Sequence, residues 1–247
     1  MTFDGVPAGA LARRWGVPQC QVAAQVASTL DVAHTLGERG APAGTIVLAE
    51  QQTAGRGRDG RTWHSPPGGV WLAVLLRPRG AALGIVSIRA GLVLADVMDE
   101  LVGAPVAQLK WPNDVLFNDR KLGGVLCEGR WHGDALQWLA VGVGVNVAND
   151  IPPAVRDTAI ALEEIAPGVR RIDVLDRLVP PLPRLVAPGS QLTDAECAAF
   201  AARDWLRNRV LRRPVAGRAI GLRPDGALLV ETAAASTAVR EGHVELA

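Results

Sequence analysis

An α+β protein in two parts is predicted by three features of this 247-residue chain. Residues 45–50 (TIVLAE) and 69–78 (GVWLAVLLRP) are apolar runs of strand length, rich in β-branched side chains. Residues 83–101 carry Ile85, Ile88, Leu92, Ala95 and Val97-Met98 near helical spacing. Residues 213–246 change character, to short strands punctuated by Pro224-Asp225-Gly226 and Glu241-Gly242, the pattern of a small β-barrel. The length accommodates a large unit with a small companion, and the boundary is placed near Gln191, giving units 1–191 and 192–247.

The remaining elements follow in order. The first 20 residues predict at most two helical turns, in LARRWGVP. Residues 21–28 (QVAAQVAS) read as a strand running into Ser28-Thr29, which precede a helix over DVAHTLGERG ending at Gly37 or Gly40. A polar loop fills 51–69, and Pro78 closes the strand that follows. Residues 108–111 form a short strand, and 115–117 with 122–128 form a hairpin across Asn118-Asp119. Residues 136–147 are a strand whose glycines imply close approach to its backbone. Helical periodicity over 172–186 is broken by Pro180, Pro181 and Pro183, and a helix over 194–206 precedes the barrel.

Composition excludes several classes. A net charge of +1 provides no global basic field for DNA or a membrane surface. The longest apolar runs, such as 70–76, fall far short of the about 20 residues that cross a bilayer. The start MTFDG has no basic segment followed by an apolar stretch, so a cytoplasmic location is expected. Three scattered cysteines and four isolated histidines form neither a disulfide framework nor a metal-ligand spacing, and no metal site of the chain's own is expected.

The informative count lies among the 26 basic residues, of which only Lys110 and Lys121 are lysines. A compact, flexible ammonium is retained there where a planar guanidinium would not fit. Both bracket the turn Trp111-Pro112-Asn113-Asp114. Residues 55–61 (GRGRDGR) match G-x-G-x-x-G after a strand, but Pro66-Pro67 forbids the helix a dinucleotide site requires. What remains is a turn with three guanidinium forks and exposed amides, suited to an anionic ligand; as alternatives, it is a solvated arginine turn or a nucleic-acid contact. Ser28 and Thr29 read as helix caps, and Gly142 and Gly144 as either a packed strand or a floor against which a slender ligand could lie. No nucleophile stands beside a base, and Cys127 sits on a buried strand where an inert thiol is usual, so the chemistry expected is positioning and electrostatics.

Residues 50–63 (EQQTAGRGRDGRTW), then KWPNDVLFNDRKLGGVLCE, then VGVGVNV, closely resemble the biotin protein ligase family, with the similarity covering roughly 26–246. The resemblance implies a mixed β-sheet flanked by helices, a class II synthetase-like catalytic domain, followed by a small SH3-like barrel. It implies that biotin and ATP, with Mg2+, react to biotinyl-5′-AMP, and that biotin then passes to a lysine of a biotin carboxyl carrier protein domain. Ser28 and Thr29 match the start of the family's Ser-Thr-Asn motif, and Gln52 matches the glutamine near the biotin rings. Gly55, Arg56, Gly57 and Arg58 match the loop that closes over biotin and its adenylate. Lys121 matches the lysine at the biotin carboxyl end and the reacting phosphate. Lys110, Asn113 and Asp114 match the segment associated with ATP and its magnesium, with Asp114 a candidate to accept the carrier lysine's proton. Gly124, Gly142 and Gly144 match pocket backbone, and Trp63 and Asn146 fall where the family contacts the adenylate. Leu30 departs from the motif's asparagine. The short leader leaves no room for the DNA-binding domain of the repressor members, and the resemblance allows a homodimer through the edge of the central sheet. A lipoate–protein ligase, a nucleic-acid-binding protein and a catalytically inactive biotin-binding module are the alternatives.

Overall fold

In the computed structural model, which describes residues 1–78, 83–186 and 190–247, every residue of the strand at the middle of the molecule is buried. That strand, β5, runs through the apolar stretch VWLAVLL. The elements before it are β1 (Thr2–Phe3), β2 (Val6–Pro7), α1 (Ala8–Trp15), β3 (Cys20–Val26), α2 (Thr29–Glu38) and β4 (Thr45–Gln52), and β5 itself spans Val70–Leu76. After it come α3 (Leu83–Val102), β6 (Gln108–Lys110), β7 (Asp114–Phe117), β8 (Arg120–His132), β9 (Ala135–Val145), α4 (Arg171–Leu178) and α5 (Asp194–Arg203). The C-terminal strands are β10 (Val210–Arg213), β11 (Gly217–Leu222), β12 (Leu228–Glu231), β13 (Ser236–Val239) and β14 (Glu245–Leu246).

Seven strands form the central sheet in the order β3-β4-β5-β9-β8-β7-β6. Only β3 and β4 pair in parallel, across the helix α2; the other neighbours are antiparallel, so the sheet is mixed as expected. Alternation of side chains divides the apolar residues between the two faces. Ile46, Leu48, Val74, Val141 and Val143 belong to the large core that includes α3 and α4. Val47, Ala73 and Ala140 meet Leu30 and Ala33 of α2 in a smaller cluster on the opposite face. The large core continues across Gln191 to Leu211, Ala219, Leu228 and Val230, and the buried Trp111 donates its indole N–H to the Gly226 carbonyl at 2.9 Å.

Several boundaries differ from the sequence reading for local reasons. The first residues form a small hairpin turning at Asp4 (φ 49°) and Gly5 (φ 79°) ahead of the two-turn helix α1. The β7–β8 hairpin turns at Asn118 and Asp119 as predicted, both with positive φ (46° and 64°), but β8 runs on to His132 because it pairs with the whole of β9. Helix α5 stops at Arg203, three residues before the predicted end, since Asp204 leaves the helix to bridge Leu109 beside β6 and Trp205 N–H donates to the Leu109 carbonyl at 3.0 Å. The C-terminal strands make the expected small all-β unit but do not close into a barrel. They form an open antiparallel sheet in the order β13-β12-β11-β10-β14, with β13 and β14 as its edges. Among the described residues no helix is long and apolar enough to cross a membrane.

Candidate functional site

The face of the sheet beneath α2 is stripped of side chains where β8 and β9 cross the middle of the molecule. Gly124 pairs with Gly144, Leu126 with Gly142, and Gly144 in turn with Trp71. Residues i and i+2 of a strand share a face, so the glycines open a depression there. Of the two readings open for Gly142 and Gly144, a packed strand or a floor for a slender ligand, the structure brings protein side chains onto both positions while leaving their backbone on the cavity surface. A Cβ on Gly144 would lie 2.7 Å from the Trp63 indole nitrogen, and one on Gly142 would lie 3.1 Å from Leu30 Cγ. The indole and the leucine therefore become walls of a cavity floored by backbone.

Three segments complete that cavity. At the start of α2, Ser28 accepts the Leu30 N–H at 3.3 Å, a cap worth about 1 kcal/mol. Thr29 donates both its backbone N–H (2.8 Å) and its hydroxyl (3.1 Å) to Gln52 Oε1, and Gln52 Nε2 donates to Ser65 at 2.8 Å. This chain fixes the amide of Gln52 in one orientation. Leu30, where the resemblance has asparagine, supplies an apolar wall, and the polar partners on this side are Ser28, Thr29 and Gln52.

The Gly/Arg loop forms the second wall. Its base is closed by Trp63 N–H to the Gly55 carbonyl (2.9 Å) and Gly57 N–H to the Arg61 carbonyl (2.7 Å), around a single turn of 3-10 helix at Arg58–Gly60. No α-helix follows, in keeping with rejection of the dinucleotide motif. Arg58 and Arg61 line the cavity with no ion-pair partner among the described residues, whereas Arg56 is bound to Glu128 and Asp31. The Trp63 indole N–H is buried without an acceptor.

The third wall is the segment with both lysines. Lys121 Nζ lies 2.6 Å from Asp114 Oδ1 and 4.8 Å from the centre of a Trp63 ring. Its backbone is gripped by residues 158–160: its N–H donates to the Thr158 carbonyl at 2.7 Å and its carbonyl accepts from Ile160 at 3.0 Å. Asn113 lines the cavity, but its side chain donates to the Val125 carbonyl at 2.7 Å and so ties the turn to β8. Lys110 lies over Trp205, with Nζ 5.1 Å from a ring centre, and burial, together with Lys121, Arg61 and Arg209, lowers its pKa despite the opposing pull of Asp114.

Of the predicted site residues, Ser28, Thr29, Gln52, Arg56, Gly57, Arg58, Trp63, Lys110, Asn113, Asp114, Lys121, Gly124, Gly142 and Gly144 all line this one cavity. Gly55 and Asn146 lie off its surface. Gly55 is packed under the loop, where a Cβ would come 2.4 Å from the Trp63 carbonyl oxygen. Asn146 is buried, with its backbone N–H on the Leu122 carbonyl at 2.9 Å and its side chain accepting from Asn149 at 3.2 Å, so it braces the strand that carries Lys121. Gly242, His243 and Val244, in the segment that leads into β14, reach the same cavity. No spacing rule joins them to residues more than a hundred positions earlier. Burial, assisted by Arg61 and Lys110 and opposed by Glu245 and Asp59, lowers the pKa of His243.

Behind the loop, Glu128 is held down at about 2 from an ordinary 4.5, first by its hydrogen bond with His34 and then by Arg56, against the opposing effect of burial. A depressed carboxyl pKa contributes stability that is present above the unfolded value and lost as pH falls through the folded one. The difference in Tm between the wild type and Glu128→Gln is therefore expected to be constant above neutral pH and to shrink steadily between pH 4.5 and about 2. Calorimetry across that range checks it, and a constant difference down to the lower limit would contradict the assignment.

A backbone-floored depression, walled by an arginine loop and flanked by two lysines, is a concave cationic site of the kind that suits anionic ligands. A model of the biotin/lipoate A/B protein ligase family matches residues 22–146, and the chain belongs to that family. Within it, the similarity is to biotin protein ligases. The chain is 31% identical over 236 residues to the Bifunctional ligase/repressor BirA of Bacillus subtilis (strain 168), covering 90% of this chain and 72% of that one. It is 37% identical over 167 residues to the Biotin--[acetyl-CoA-carboxylase] ligase of Mycobacterium tuberculosis, covering 64% of this chain and 60% of that one. The biotin protein ligase from Aquifex aeolicus, solved in complex with biotin and ATP, superposes with a TM-score of 0.76 at 28% identity, covering 93% of this chain and 99% of that chain.

Proposed function

We propose that this chain activates biotin with ATP to biotinyl-5′-AMP and transfers the biotinyl group to a lysine of a biotin carboxyl carrier protein. The observation that carries the reading is the convergence, on one cavity, of an ion-paired Lys121 and two guanidinium groups, Arg58 and Arg61, that have no protein carboxylate of their own among the described residues. The apolar walls, with the Thr29–Gln52 hydrogen-bonded pair beside them, suit an uncharged ring system whose only charge is its carboxylate.

In the first half-reaction a carboxylate oxygen of biotin attacks the α-phosphorus of ATP, a P–O bond breaks and pyrophosphate leaves. Both reactants are anions. Lys121, Arg58 and Arg61 offset their repulsion and stabilise the charge that builds on the transferring phosphorus. Magnesium enters with ATP as part of the substrate. Among the described residues no group of three or more His, Cys, Asp or Glu forms a cage for it, and the carboxylates lining the cavity are Asp59 and Asp114. One or two carboxylates completed by phosphate oxygens suit magnesium, which keeps most of its waters. In the second half-reaction the carrier lysine nitrogen attacks the acyl carbon, the bond to phosphate breaks and AMP leaves. Asp114, held in place by Lys121, accepts the proton of the incoming amine. The division at Gln191 assigns the floor and loop to residues 1–191 and one cavity edge, at His243, to 192–247.

Biotin-dependent ATP–pyrophosphate exchange, run beside lipoate, tests the reading. Exchange with biotin and none above background with lipoate is the expected result; exchange with neither, or with lipoate alone, would remove it. Incorporation of biotin into a purified carrier domain then tests the transfer step.

A further inference from the structure

The three arginines of the loop have divided their work. All three border the cavity, but Arg58 and Arg61 have no ion-pair partner among the described residues, while the guanidinium of Arg56 is taken up by carboxylates behind the loop. There Nε donates to Glu128 Oε1 at 2.9 Å, and one terminal nitrogen donates to Glu128 Oε2 at 3.1 Å and to Asp31 Oδ1 at 2.7 Å. Arg56 also borders a second, polar cavity with Asp31, His34, Thr35, Glu128 and Arg130.

Glu128 is itself aligned from the core. Trp138 donates its indole N–H to His34 Nδ1 at 3.0 Å. That bond makes Nδ1 the acceptor and leaves the ring proton on Nε2, which donates to Glu128 Oε2 at 3.1 Å. His34 and Trp138 are both buried, and a Cβ on Gly37 would lie 2.6 Å from the Trp138 nitrogen, so the indole fills the space the glycine leaves. A chain of hydrogen bonds thus links the buried face of α2 and β9 to the loop, with donors converging on the Glu128 carboxylate from both sides.

We infer that Glu128, aligned by His34 and Trp138 and seconded by Asp31, is a positioning residue that anchors the Gly/Arg loop over the cavity through Arg56 and so sets how long the acyl-adenylate stays bound. The inference rests on the ligase reading above. Ordering a glycine-rich loop over a ligand costs backbone conformational entropy at every residue that is fixed. A bidentate, charge-assisted fork onto a rigid strand meets part of that cost before the ligand arrives. The mixed anhydride is lost if water reaches it or if it escapes before the carrier docks, so the lifetime of the closed loop matters more than its contribution to the phosphoryl step. Asp31, with about half of its side chain exposed (51%), contributes less than Glu128 (28%).

The test loads the full-length protein with radiolabelled, synthetic biotinyl-5′-AMP and follows its dissociation by rapid filtration. Glu128→Gln is expected to speed dissociation about tenfold and Asp31→Asn by a smaller factor. Arg56→Gln gives the same acceleration as Glu128→Gln, and the double variant dissociates no faster than either single one. A rate for Glu128→Gln equal to wild type, or effects of the two substitutions that multiply, would overturn the inference. If Glu128→Gln does not fold, Arg56→Gln and Asp31→Asn, both at the exposed side of the network, carry the test. No saturable binding of biotinyl-5′-AMP by the wild type would instead remove the ligase reading, and this inference with it.

Discussion

Lys121→Ala is expected to lower biotin-dependent ATP–pyrophosphate exchange by about 10²- to 10³-fold, the usual cost of removing one preorganised charge from a developing anion. The ammonium sits 2.6 Å from Asp114 and 4.8 Å from a Trp63 ring centre, on a backbone clamped by Thr158 and Ile160. These contacts hold it in one place, and no other lysine can replace it, because Lys110 is the only other one in the chain and lies over Trp205. Lys121→Arg is expected to recover little. The lysine stem runs directly over Gly124, where a Cβ would lie 3.1 Å from Lys121 Cε, and a planar guanidinium is wider than that slot. Turnover of Lys121→Arg near the wild-type value would show that charge alone suffices there. Undiminished exchange by Lys121→Ala would place the reacting phosphate elsewhere.

Gly144→Ala is expected to cost about tenfold or more in exchange while the fold survives. A methyl group would lie 2.7 Å from the Trp63 indole nitrogen, and that rigid ring is packed edge-on against Trp71, with ring centroids 6.4 Å apart, and under Lys121. The indole must lift, and the wall it forms against Lys121 lifts with it. Overpacking of this kind typically costs 1–3 kcal/mol, and about 1.4 kcal/mol is a factor of ten. The check is a pair of measurements, exchange activity and Tm. A variant with wild-type exchange would show that the position of Trp63 does not matter to the first half-reaction.

Much of this site was legible in the chain. Two lysines among 26 basic residues pointed to positions where arginine would not serve, and both line the cavity. GRGRDGR read as an anion-binding turn, and the turn after it holds no α-helix, as Pro66-Pro67 required. The turn at Asp4-Gly5 also carries its signal in the chain, since a two-residue Asp-Gly loop is among the strongest hairpin markers.

Other features depend on contacts between distant residues. The three arginines look alike in sequence, yet Arg56 is committed to Glu128, 72 residues away, and so acts from behind the loop. His243 joins the cavity only because the core runs across Gln191 and seats the C-terminal sheet against Trp111. Gly142 and Gly144 announced close approach, but not that Leu30 and Trp63 would be what approached.

The sequence by itself determined which residue types are suited to meet anions, because charge, side-chain width and backbone freedom belong to each residue. The tertiary structure decided which of them face the ligand and which hold others in place. That choice depends on who stands across the gap: a guanidinium that finds a carboxylate anchored by His34 is an anchor, and one that finds none is left for the substrate.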